Sequence, residues 1–212
     1  MTCCGQPAYN SGEKQDAAEI AKLTIKALEG FDYVVVPSGS CGGMLKAHYP
    51  ELFDKADPWR ARAEAVSERT FELMQFLVDV RGMTSVAASC ERTATYHDSC
   101  SGLRELGVKS APRKLLASVK GLKLVEMNEE ETCCGFGGTF AVKYPAITGA
   151  IAEKKTTNVA ASGAELLLAG DLGCLMNMAG KISREGRKIE VRHVAEVLAG
   201  MTDDVPPIGE RR

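Results

Sequence analysis

The sequence predicts an α/β protein of two pseudo-twofold-related units, with short parallel strands and cysteine-bearing loops at the strands' C-terminal ends. Three observations predict it. A Cys-Cys-Gly tripeptide occurs twice, as Cys3-Cys4-Gly5 and as Cys133-Cys134-Gly135. Each pair is followed by a single cysteine at a similar distance: thirty-six residues separate Cys4 from Cys41, and thirty-nine separate Cys134 from Cys174. Between pair and single cysteine, each copy runs a helical pattern and then a short apolar run. The units divide at residues 1–90 and 91–212, and of the eight cysteines only Cys90 falls outside the repeat.

In the first unit, Asn10 with Glu13 reads as a capping box, Ile20, Leu23, Ala27 and Leu28 recur at helical spacing, and Gly30 closes the segment. Residues 33–36 form a β-branched run that suits a buried strand and leads into the loop Pro37-Ser-Gly-Ser-Cys41-Gly-Gly. Asp57-Pro58 marks a turn. Val66, Thr70, Leu73, Leu77 and Val80 then alternate at four and three, predicting one amphipathic helix over residues 60–79. In the second unit, residues 93–97 read as a strand ending at Asp98-Ser-Cys100, and residues 122–125 as another leading towards the second cysteine pair. Pro145 suits the first turn of a helix carrying Ile147, Ala150 and Ile151 and ending at Gly163. Residues 166–169 form the strand before the loop Gly170-Asp-Leu-Gly-Cys174. A short strand over 189–191, a helix over 194–198 and a frayed Pro206-Pro207 terminus complete the chain.

At 212 residues, with 45% hydrophobic and 25% charged residues, the composition is that of a soluble globular protein. A net charge of −2 gives no reason to expect nucleic acid or an anionic membrane as partner. No run of eighteen apolar residues predicts a membrane span, and the first residues carry neither the basic nor the apolar region of an export signal. These features predict a cytoplasmic protein. In a reducing compartment, ordered thiol clusters point to metal ligands or redox groups rather than structural disulfides.

Ligands of open parallel α/β sheets collect at strand C-terminal ends, so Cys41, Cys100 and Cys174 are placed to converge with the cysteine pairs. Cys100, Cys133, Cys134 and Cys174 supply four soft donors for an iron-sulfur cluster or zinc. Cores do not place Cys-Cys-Gly twice at matching distances from a third cysteine, so small buried hydrophobes are a poor reading of the set. Structural zinc sites use close C-x2–4-C pairs, and adjacent cysteines with long gaps fit them poorly, so the spacing favours iron-sulfur. Cys3, Cys4 and Cys41 make an incomplete three-thiolate site, because a counterpart of Cys100 would precede residue 1. That predicts a truncated chain lacking its first strand and cysteine.

Cys90 reads as a core or surface thiol. His97 is a candidate ligand or proton shuttle, read more simply as a strand-end histidine bonded to its neighbour, and Lys154-Lys155 as a solvated helix face. His48 and His193 have no recognisable setting. Gly135-Phe-Gly-Gly lacks the Lys-Ser/Thr of a phosphate-binding loop and the order and acidic residue of a dinucleotide fingerprint. No nucleophile elbow or Ser-His-Asp order supports hydrolysis.

The two Cys-Cys-Gly units, with Tyr96-His-Asp-Ser-Cys100 and Cys133-Cys-Gly-Phe-Gly-Gly, resemble the cysteine-rich CCG domain that heterodisulfide reductase shares with the iron-sulfur subunit of glycolate oxidase. Cys4-Gly-Gln-Pro-Ala-Tyr-Asn-Ser-Gly12 and Asp98-Ser-Cys-Ser-Gly-Leu-Arg-Glu-Leu-Gly107 most resemble the lactate utilization protein A branch of that family. The resemblance covers nearly the whole chain. It implies a cytoplasmic component of a bacterial multi-subunit system oxidising L-lactate to pyruvate, working with a ferredoxin-type iron-sulfur subunit and a third subunit. Family members normally carry an extra strand and cysteine before the first Cys-Cys-Gly. The reductase motif ends in Cys-x-x-Cys, whereas Cys174-Leu-Met-Asn177 and Cys41-Gly-Gly-Met44 lack the last thiol. That favours a simple 4Fe-4S cluster on Cys100, Cys133, Cys134 and Cys174 over a five-cysteine double cluster. The competing readings are a zinc-stabilised or metal-free scaffold subunit, and a thiol-disulfide enzyme, against which the lack of C-x-x-C counts.

Overall fold

The computed structural model describes residues 3–210, which form two parallel sheets. The first pairs β1 (Val34–Val36) with β2 (Thr70–Glu72), Val34 standing opposite Thr70. Two helices precede it: α1 (Gln6–Ser11) follows Gly5, and α2 (Lys14–Leu28) buries Ala17, Ala21, Thr24 and Ile25. Asn10 therefore lies inside α1 and caps nothing, and α2 begins without a side-chain cap at Glu13. After β1 the chain turns directly into α3 (Gly39–Gly43), continued by a π-helical turn, Met44–His48. Met44, Tyr49, Ile25, Ala63 and Val66 fill the core beneath this sheet.

The helix expected over 60–79 is two helices with a strand between. Asp57 caps α4 (Pro58–Glu68), its carboxylate accepting Trp59 N–H at 2.9 Å, and the helix stops at Arg69. Thr70, Phe71 and Glu72 then pair with β1, and α5 (Leu73–Gln75) runs into a second π-helical turn, Phe76–Val80. Pairing with a buried neighbour strand overrides a helical period here. Thr70 is fully buried, and Glu72 ends the strand by accepting Met74 N–H at 2.7 Å and Gln75 N–H at 3.1 Å.

The second sheet has the order β4-β3-β5-β6, all parallel: β3 (Thr93–Tyr96), β4 (Lys123–Leu124), β5 (Leu166–Ala169) and β6 (Glu190–His193). Alternation along β5 serves two cores. Leu166 and Leu168 face one cluster with Ala94, Tyr96, Leu115 of α7 (Ser110–Leu116), Val197 of α11 (Val194–Leu198), Met74 and Cys90. Leu167 and Ala169 face another with Val159 of α9 (Pro145–Ala161) and Leu175 and Met178 of α10 (Leu172–Arg184). The short helices α6 (Cys100–Arg104) and α8 (Phe140–Lys143) complete the set. The Pro206-Pro207 segment is not frayed: Ile208 N–H donates to Val191 O at 2.9 Å and Arg192 donates to Val205 O at 2.8 Å.

The sheets meet at their C-terminal edges. Gly39 N–H donates to Gly170 O at 3.0 Å, and the His193 imidazole bonds Pro37 O at 2.8 Å while its other nitrogen caps α11. His193 thereby ties β6 to the segment after β1. No helix among the described residues is long and apolar enough to cross a membrane.

Candidate metal centre

The cysteines expected in loops occupy the first turns of helices. Cys41 is the third residue of α3, Cys174 the third of α10, and Cys100 the first of α6. Each helix springs from a strand end, β1, β5 and β3 respectively, so the turn that leaves the sheet presents the thiol beside unpaired backbone N–H groups. Ser99 caps α6 through Gly102 N–H, and Asp171 caps α10 through Cys174 N–H at 3.0 Å. α3 has no side-chain cap of its own, and the second oxygen of Asp171 supplies one, accepting Ser40 N–H at 2.8 Å and the Ser38 hydroxyl at 3.0 Å.

The two Cys-Cys-Gly loops repeat in detail. Gly5 and Gly135 have φ of 86° and 89°, and each returns its N–H to the first sulfur of its pair, Cys3 at 3.4 Å and Cys133 at 3.3 Å. Each glycine lies against the next long helix, where a Cβ would stand 3.3 Å from Ile20 or 2.8 Å from Thr148 O. The carbonyl of the second cysteine is also held in both loops. Tyr49 O–H donates to Cys4 O at 2.8 Å, and the Asn177 amide donates to Cys134 O at 2.9 Å.

Four thiols from three segments converge in the second site. Cys100 and Cys133, Cys133 and Cys134, and Cys134 and Cys174 share sulfur hydrogen bonds. The bonds from Cys100 and Cys134, helped by Gly135 N–H, hold the Cys133 thiol far below its ordinary value. The same bonds and burial drive Cys100 and Cys134 upward. At Cys174 the Cys134 bond pulls down, but burial and the Asp171 carboxylate outweigh it. A divalent metal or a cluster would replace the shared protons and take the sulfurs as thiolates, so this donor set fits a thiophilic centre, zinc or iron-sulfur. In the first site Cys4 and Cys41 share a hydrogen bond that raises Cys4 and lowers Cys41, and Cys3 is exposed beside them.

The two sites open on one cavity of about 170 Å³, lined by Gln6, Asn10, Ser40, Cys100, Cys133 and Phe136 among others. Two expectations about the surroundings are corrected. Lys155 is not solvated: it is 1% exposed, and its ammonium donates to Glu129 O at 2.5 Å and Glu130 O at 3.1 Å, pinning the turn that leads into Cys133. His97 does not bond Asp98, whose carboxylate is held by Arg113 at 2.8 and 2.9 Å, and neither ring nitrogen has a hydrogen-bond partner. Cys90 is a core thiol of the second sheet. Asp171 was legible as a cap three residues before Cys174. The role of Lys155 left no signal, since nothing in its helical pattern says which lysine turns inward.

The family model described as the cysteine-rich (CCG) domain matches residues 1–46 and 94–179, the stretches that carry both sites. The chain belongs to this cysteine-rich CCG family. Within the family, the chain is 50% identical over 199 residues to lactate utilization protein A of Oceanobacillus iheyensis, spanning 93% of this chain and 81% of that protein. It is 50% identical over 196 residues to the protein of the same name from Shouchella clausii, spanning 92% and 82%. It is 46% identical over 199 residues to lactate utilization protein A 2 of Bacillus cereus, spanning 94% and 82%.

Proposed function

We propose that this CCG protein carries a 4Fe-4S cluster on Cys100, Cys133, Cys134 and Cys174 and is the electron-transfer subunit of a multi-subunit system oxidising L-lactate to pyruvate. The convergence of four thiols from three distant segments carries the reading, and relatives named for lactate utilization give it a substrate. Lactate oxidation to pyruvate releases two electrons, and one such cluster passes one at a time. A partner must therefore take the pair from substrate or bring the second acceptor. A ferredoxin-type iron-sulfur subunit and a third subunit fill those roles in this proposal, and the cluster works in the cytoplasm.

One observation favours a second reading, a zinc-stabilised scaffold. Sulfurs at hydrogen-bonding distance suit a single tetrahedral ion, for which a Zn–S bond of about 2.3 Å gives S···S of about 3.8 Å. Anaerobic reconstitution with iron and sulfide, against zinc, separates the two. The cluster reading requires bound iron with acid-labile sulfide and a broad visible absorbance that bleaches on reduction. Zinc bound in preference, with no such absorbance, overturns it. The subunit reading requires that the loaded chain alone not turn over L-lactate with an artificial acceptor, and that activity appear with the partner subunits and vanish in Cys134→Ser.

A further inference from the structure

His97 is fully buried at the end of β3, and its backbone N–H is fixed to Leu168 O at 2.8 Å, extending the β3–β5 ladder by one residue. Both ring nitrogens lack a hydrogen-bond partner, which costs about 1–3 kcal/mol for each polar group left so. A ring with so fixed a backbone does not swing out to water. One of its nitrogens stands within 4.8 Å of the sulfurs of both Cys134 and Cys174, the two most deeply buried of the four thiols.

Four cysteines already provide a full set of protein ligands for a tetrahedral ion or a 4Fe-4S cluster. We propose that His97 is a positioning residue of this centre, donating its imidazole N–H to a sulfur at the Cys134 and Cys174 side and so stabilising the more negative, reduced form. This rests on the metal-centre reading above. Hydrogen bonds to cluster sulfurs set the reduction potential, and outer-shell donors of this kind are worth about 10–100-fold in metal affinity.

The test uses the full chain as wild type, His97→Leu, which removes the donor at similar volume, and His97→Gln, which keeps an N–H. Each is loaded anaerobically with iron and sulfide and, separately, with zinc. Metal per chain at saturation, affinity against a chelator and, for the iron form, midpoint potential are measured. All three proteins are expected to reach the same stoichiometry. Leu should lose about 10–100-fold in metal affinity and shift the potential downward, and Gln should recover part of both. Without metal, Leu should melt no lower than wild type, because it removes two unpartnered buried nitrogens. Loss of metal as complete as in Cys134→Ser makes His97 a ligand and overturns the proposal. So does unchanged affinity and potential, or a metal-free Leu variant melting well below wild type. If wild type binds zinc and refuses iron, the cluster reading falls while the zinc affinities still decide the role of His97.

Discussion

The carboxylate of Asp171 accepts the backbone N–H of Ser40 at 2.8 Å across 131 residues of chain, while its other oxygen accepts that of Cys174 at 3.0 Å. One side chain thus caps both helices that carry the single cysteines of the repeat. Asp171→Ala should cost about 2–4 kcal/mol in chemical denaturation, since two buried, charge-assisted caps disappear together. Asp171→Asn should cost less, because an amide oxygen can still serve one helix. A loss under about 1 kcal/mol for Ala would show that the two helices do not depend on this link.

The cysteine-pair glycines should respond unequally. Gly135→Ala puts a Cβ 2.8 Å from a backbone carbonyl at φ of 89°, so destabilisation above about 2 kcal/mol and poor metal retention are expected. Gly5→Ala meets the side chain of Ile20 at 3.3 Å, which can shift, and should cost about 1–2 kcal/mol. Thermal melts with metal analysis of both variants check the order.

Lys155→Met should strip the Glu129 and Glu130 carbonyls of their donor, lowering stability by about 1–3 kcal/mol and weakening metal uptake through the turn before Cys133. Its neighbour is the control. The Lys154 side chain is 63% exposed and pairs with Glu129 at the surface, so Lys154→Ala should change stability by no more than about 0.5 kcal/mol.

Glu72 supplies the pH dependence. Burial, partly offset by the Gln75 and Met74 N–H groups, pushes its carboxyl up to about 7 from an ordinary 4.5. The folded chain then holds a proton that the unfolded chain has released between those values. Stability should therefore fall as pH rises through this window, by about 2–3 kcal/mol in all, and level off above it. Glu72→Gln should flatten that part of the curve, as measured by denaturant unfolding of the metal-free protein at stepped pH. A wild-type curve that rises through the window would reverse the assignment.

Cysteine replacements sort the thiols. Cys133→Ser and Cys134→Ser should abolish metal binding at the second site, whereas Cys90→Ser, in the core of the second sheet, should leave metal content unchanged and cost about 1 kcal/mol. Cys41→Ser should alter the second site's metal little. Metal analysis after anaerobic loading reads all four.

Much of this arrangement was legible because cysteine spacing and short apolar runs are local signals. Both long helices of the repeat, the buried run Leu166–Ala169 and the strand ends that bring Cys100 and Cys174 together follow from them. Where reading failed, a distant partner decided the local outcome. Thr70–Glu72 became a strand because β1 lay beside it, and Asn10 was absorbed into α1 because Gly5 turns the chain into a helix one step earlier. His97 and Lys155 were misplaced for the same reason: what each faces is set by residues far along the chain, Cys134 and Cys174 for one and the Glu129–Glu130 turn for the other.

Tyr96 stands opposite Leu168 in the β3–β5 pair, and the next few residues of each strand deliver Cys100 and Cys174. These thiols are seventy-four positions apart in the chain and have no reason to meet until that ladder has zipped up. A centre whose ligands are gathered by strand pairing cannot seed the pairing. Metal therefore arrives late in the life of this chain, as an insertion into a finished scaffold, and the apoprotein is what the cell's delivery machinery has to recognise.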